Sequence, residues 1–315
     1  MKQRVLSFDE GKLQPLSVDS PGPIRWVSWD RKEGSSLLAG DRGALFEYRK
    51  DKFSAVPSST AQNLRCVEYH PDGGFAYACG NQGTIFRVDS SGATPVQGGI
   101  QESLRRLGWN APGNRALFVG NAGAAYLMDR DRNLVKVVGA ETHLRSVAWH
   151  PKDDVAIVAG NCFRDSIGSL TPSPNLFEMK GSSLEEITDI EGSRADFTAA
   201  SWRPDGSTCL IAGFDQTWHT SSLVSYSRGM LTDVKWGQEN LFPTAISWNP
   251  SGSYALIGTS PLAPDEGTAS LYRYQDGAVV TKVTDLDGFG VSCIAWKDEG
   301  LALIACSRSV RAFSV

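Results

Sequence analysis

The phrase HLRSVAWHPKDDVAIVAGN, His143 to Asn161, repeats one that begins forty residues earlier, SLRRLGWNAPGNRALFVGN, Ser103 to Asn121. Forty residues before that stands NLRCVEYHPDGGFAYACGN, Asn63 to Asn81. Self-similarity at a fixed period of this length is the mark of a repeat architecture, in which one small unit buries its core only against its neighbours. An aromatic anchor closes the first strand pattern of each unit: Trp29, Tyr69, Trp109, Trp149, Trp202, Trp248 and Trp296. The spacings are 40, 40, 40, 53, 46 and 48 residues.

Each unit opens on a strand pattern such as LRCVEY or PTAISW and turns through HPDGG, NAPGN, RPDGS or NPSGS. Pro pre-sets φ in such a turn and Gly accepts positive φ. The next run, as in ALFVG or CLIAG, is apolar throughout, so both its faces must be covered. A hairpin of two wetter strands completes the unit, as in TIFRVDSSGATPV. No helical periodicity lasts more than a turn or two. Seven such units predict an all-β chain, a seven-bladed β-propeller of four-stranded antiparallel blades forming one domain over residues 1–315. The chain ends in what reads as a third strand, SRSVRAFSV. Lys12 to Val18 matches a fourth strand, so the N-terminal strand is expected to complete the last blade and close the ring. Arg4 to Phe8 is left over, as material for an extra edge strand without a fixed place.

Phrases such as LRSVAWHPKDDVAIVAGN and AASWRPDGSTCLIAGF resemble the WD-repeat family across nearly the whole chain. The repeats lack the family's Gly-His before the first strand and its closing Trp-Asp, where Glu47-Tyr48, Arg87-Val88 and Glu178-Met179 stand instead. The resemblance implies a rigid platform for binding partners. Fold alone does not assign a function.

Arg25, Arg65, Arg105 and Arg145 stand four residues before their anchors; units five to seven have Thr198, Thr244 and Ser292 there. Positions four apart share a face of a strand. The four Arg are therefore expected on the anchor's face, around one opening of the central channel, here called the top. One reading is an anion site of converging guanidinium forks. The other is structural. Sixteen residues after each Arg comes Asp41, Asn81, Asn121 or Asn161, while units five to seven have Phe214, Ser260 and Arg308. The pairing suggests a repeated hydrogen bond from side chain to turn.

Loops after the second strand lengthen in units four to six, and the segment Trp236 to Thr244 joins units five and six. All face the top. They offer Phe163, Trp218, His219, Trp236, Phe242 and Asp215 as candidates for holding a partner, since Trp is enriched at interface hot spots. The alternative is that they cover the ends of blade cores.

The net charge of −4 argues against nucleic acid as a partner and against an anionic membrane. No apolar run approaches a membrane span. Six Cys without a CxxC pair suggest neither zinc nor a disulfide framework, and read as free thiols of a cytoplasmic protein. GxSxG, HExxH and GxxxxGK are absent. No cofactor or metal is expected. The sequence points to a non-catalytic scaffold for a protein or peptide, inside a larger complex or alone. The alternative is a small-anion-binding or lactonase- or lyase-like propeller, with the four Arg on substrate and His143 or His219 as acid or base.

Overall fold

A computed structural model describes the chain except residues 1, 7–12, 162, 167–168, 173, 188–194, 216–218, 235, 237–240, 262–267, 276–278, 287–289, 307–308 and 315. Among the described residues every regular element is a strand, apart from one 3-10 turn at Asn81–Gly83. The first sheet shows the plan: Ile24–Asp30, Ser35–Gly40, Leu45–Arg49 and Lys52–Ala55 pair in chain order, each antiparallel to the next. Burial is highest in the second strand and falls outward from it. Ser35–Gly40 is buried at every residue, whereas Lys52–Ala55 is mostly exposed. This is why the second run of each unit is apolar throughout and the last is not.

The innermost strands pack side by side. Ile24–Asp30 lies on Leu64–Tyr69, followed by Leu104–Trp109, Leu144–Trp149, Ala195–Trp202, Leu241–Trp248 and Val291–Trp296, which returns against Ile24–Asp30. The molecule is a β-propeller around a central channel. The anchors explain why an aromatic recurs. Their rings fill the space between sheets, and the indole N–H donates to a backbone carbonyl of the preceding sheet: Trp29 to Ala295 at 3.1 Å, Trp149 to Gly108 at 2.9 Å, Trp202 to Ala148 at 3.1 Å. These anchors combine apolar burial with a satisfied polar tip, whereas the buried Trp248 indole N–H finds no acceptor among the described residues.

The expected blade count is corrected. Among the described residues there are six four-stranded antiparallel blades, not seven. The remaining sheet has five strands of mixed direction, in the order Lys2–Leu6, Leu13–Asp19, Ser309–Ser314, Leu301–Cys306, Val291–Trp296. Lys2–Leu6 runs antiparallel to Leu13–Asp19, with Val5 opposite Leu16, and parallel to Ser309–Ser314, with Arg4 opposite Ser309. A single N-terminal strand finishing a four-stranded blade is therefore not what is found. The sequence assigned residues 12–18 to that blade and left residues 4–8 over as an extra edge strand without a fixed place; Lys2–Leu6 takes that edge. A second departure is in the fourth unit. Its expected long loop carries a hairpin, Phe163–Ser166 with Ser169–Pro172, as a separate two-stranded sheet.

The short top turns follow their sequence. Gly123 has φ +68, and a Cβ there would fall 2.2 Å from the Ala140 carbonyl oxygen, so only glycine fits. The residue before it, Ala122, also has positive φ. Its N–H is held by His143 Nδ1 at 2.9 Å, as Asn63 Oδ1 holds the Arg42 N–H at 2.9 Å. His143 is thus one of a series of side chains that tie a turn to the next sheet.

Candidate functional site: the arginine-rimmed mouth and the channel beneath it

Every innermost strand carries a β-bulge at the same place. The register slips between Ile24 and Trp26, Leu64 and Cys66, Leu104 and Arg106, Leu144 and Ser146, Phe197 and Ala199, Pro243 and Ala245, Val291 and Cys293. The skipped residue is Arg25, Arg65, Arg105, Arg145, Thr198, Thr244 or Ser292. A bulge breaks the two-residue alternation and re-aims its side chain. The argument that each Arg shares its anchor's face therefore fails. The Arg side chains rim the mouth, while Trp29, Tyr69, Trp109 and Trp149 line the channel below.

The mouth is a cavity of about 310 Å³ that brings Arg25, Arg65, Arg105 and Arg145 together. Each is tied to its turn as the sixteen-residue offset implied. Arg25 forks onto Asp41, Nε to Oδ1 at 3.1 Å and Nη2 to Oδ2 at 2.6 Å. Arg65, Arg105 and Arg145 donate Nε to Asn81, Asn121 and Asn161 at 3.1, 3.0 and 2.9 Å. Two also reach the preceding turn: Arg65 to Asp41 and Arg145 to Asn121, both at 3.4 Å. The structural role is real, and it leaves donors over. An Arg has five N–H groups, and Arg105 has one described side-chain acceptor, a neutral amide.

The other side of the mouth is built differently. Thr198 donates its hydroxyl to the Pro243 carbonyl at 2.5 Å, and Thr244 donates to the Val291 carbonyl. Ser292 donates to the Ala305 carbonyl at 3.1 Å. These hydroxyl protons are committed to backbone, so the cationic donors crowd one side. Burial, then the charges of Arg65, Arg145, Arg106 and Arg25, lower the Arg105 guanidinium to about 10. Arg65 is lowered too, by burial first.

Sequence reasoning missed Arg106, Glu68 and Trp26. Arg106 lines both the mouth and the channel below, a cavity of about 640 Å³. Its Nη1 donates to the Arg105 carbonyl at 2.9 Å, and its guanidinium lies 4.1 Å from the Trp26 ring centre. Trp26 Nε1 donates to Glu68 Oε1 at 2.6 Å, and Ser28 donates to Oε2 at 2.9 Å. The Glu68 carboxyl meets the channel interior rather than bulk water. Burial raises it to about 7, against the pull of Trp26, Ser28, Arg106 and Arg31. The signal was present in the repeat columns. Residues one before the anchors are Ser28, Glu68, Gly108, Ala148, Ser201, Ser247 and Ala295, so Glu68 is the ionisable exception. Residues three before are Trp26, Cys66, Arg106, Ser146, Ala199, Ala245 and Cys293, so Trp26 and Arg106 are the large ones.

The aromatic candidates separate. Trp236 is 6% exposed and packs edge-on to Tyr272 at 5.2 Å, which leaves it no face for a partner. Phe242 is half-buried and stacks on the buried Phe214 at 5.3 Å. His219 is exposed, edge-on to Phe214 at 6.1 Å. Asp215 ends the second strand of the fifth sheet and is half-buried. Phe163 opens the extra hairpin. Trp218 lies outside the described residues. Among the described residues no three His, Cys, Asp or Glu side chains gather where they could hold a metal. Among the described residues no helix is long and apolar enough to cross a membrane. The five described cysteines are buried free thiols.

No protein-family model matches the chain, and no curated protein does. The resemblance to a seven-bladed WD-repeat family is corrected by the blade count, six four-stranded blades beside a five-stranded mixed sheet. Among solved structures, one titled "Crystal Structure of Mitotic Checkpoint Complex" superposes with a TM-score of 0.75 at 16% identity, covering 98% of this chain and 98% of that one. At that identity the likeness shows the propeller fold alone. Since 1234 solved chains match, the shape is common enough to leave function to the site.

Proposed function

We propose that this chain is a non-catalytic interaction scaffold that takes a protein or peptide partner on its top face, centred on the mouth. The observation that carries the reading is the charge of that mouth. Five Arg line it, and Asp41 accepts from two of them, Arg25 and Arg65. The whole chain carries −4, so the cations are concentrated where a partner can reach them. Such a patch steers and orients an acidic partner. The fold supports the reading at a distance, because a propeller of this shape occurs in a structure titled as a complex. The buried free thiols support a reducing, cytoplasmic setting.

The test is quantitative capture with three folded variants, Arg105→Glu at the mouth, Trp218→Ala, and Lys152→Glu on the opposite face. A partner retained by native chain and Lys152→Glu, but lost by Arg105→Glu, is expected. Equal capture by native chain, Arg105→Glu and Trp218→Ala would remove the top face as the docking site.

A further inference from the structure

We propose that the mouth is a binding site for a phosphate monoester dianion, held off-axis against Arg65, Arg105 and Arg106. This rests on the top face being open to ligands, and names the chemistry it selects. Three observations carry it. First, the donors are oriented and unspent. Arg105 gives Nε to Asn121, and its two Nη groups have no partner among the described residues. Arg106 gives Nη1 to backbone carbonyls, and its plane is fixed over Trp26. Arg65 gives Nε and Nη1, leaving Nη2. Second, the charges are one-sided. A carboxylate offers one charge and two acceptor atoms. A phosphate monoester near neutral pH offers close to two charges and three terminal oxygens, a better match for three guanidinium groups. Third, the space fits. A mouth of about 310 Å³ takes a phosphate and a short organic stem, at the small end of ligand sites. The committed hydroxyls of Thr198, Thr244 and Ser292 place the anion away from their side.

A bound dianion also relieves the crowding of like charge among the mouth's guanidinium groups. The ligand is therefore expected to stabilise the fold with the logarithm of its concentration. Two sources present the same group: a phosphorylated small molecule, or a phosphorylated side chain of the partner.

The experiment measures binding of phenyl phosphate, phenylacetate, and a peptide with and without one phosphoserine, by calorimetry at matched ionic strength. Native chain, Arg105→Gln and Arg106→Gln are compared, with Lys152→Gln as a distant control. Saturable phenyl phosphate binding, with roughly a tenfold or greater loss in either mouth variant and none in the control, is expected from removal of a charge-assisted hydrogen bond. Tighter binding of the phosphopeptide than of phenyl phosphate assigns the partner's side chain as the source. Equal or weaker binding assigns a small molecule. If Arg105→Gln does not fold, Arg106→Gln decides alone. Phenylacetate binding as tightly as phenyl phosphate, or native chain binding neither, overturns the proposal. If partner capture still depends on Arg105 in that case, the scaffold reading stands and only the phosphate inference falls.

Discussion

Glu68 is held in the channel by the Trp26 and Ser28 donors, yet burial raises its carboxyl to about 7. The folded value lies above the ordinary one, so the protonated acid is the form the fold prefers. Its contribution is fully present below the ordinary carboxyl range and is lost as pH rises towards about 7. Asp30, Glu102, Asp129, Asp205 and Asp285 are shifted the other way and titrate below that window. Between about pH 5 and pH 8 the native chain is therefore expected to lose stability relative to Glu68→Gln, and to level off above the folded value. Thermal melting across that range checks it; parallel curves for the two chains would show that Glu68 titrates normally. Trp236 teaches the complementary lesson. Its position between strands made it look like a loop anchor, but it is buried against Tyr272. Spacing in the sequence does not say which connecting residue folds back onto a core.

The element that builds the site is a bulged strand start joined to a turn. Its hydrogen bonds were legible, because Arg and the turn residue recur together sixteen positions apart and vanish together in units five to seven. The bulge was not legible. Bulges in strands are often marked by Gly, whereas here the extra residue is Arg, Thr or Ser, and simple alternation assigns it to the wrong face. The ladder makes the turn residues unequal. Asn121 Oδ1 accepts from Arg105 at 3.0 Å and from Arg145 at 3.4 Å, whereas Asn161 Oδ1 accepts from Arg145 at 2.9 Å. Asn121→Ala should cost more, about 2–3 kcal/mol against about 1–2 for Asn161→Ala, from the loss of hydrogen bonds to charged donors. Urea unfolding of the two variants measures the difference. Equal midpoints would mean that the contact between neighbouring turns contributes nothing.

At the scale of the whole molecule, the two ends of the chain meet in one five-stranded sheet. The repeat made the propeller legible, since seven anchors at near-constant spacing leave few other architectures. The content of the last sheet was legible only in part: residues 4–8 read as spare strand material, but which segments claim an open edge depends on tertiary pairing. Leu13–Asp19 pairs with Ser309–Ser314, Leu13 opposite Phe313. Val18 is 2% exposed in a core shared with the first and last sheets, and Leu13 and Leu16 pack against it. Removing residues 1–19 uncovers that core and frees an edge strand for pairing with other chains. The loss of one buried and two half-buried apolar side chains predicts roughly 3–5 kcal/mol of destabilisation. Hydrogen exchange should show where the loss falls: amides of Ser309–Ser314 and Leu301–Cys306 exchange faster, while those of Val155–Gly160, across the ring, hold their protection. Uniform acceleration around the ring would instead show that the sheets open as a single cooperative unit, with the N-terminal strands holding all of them.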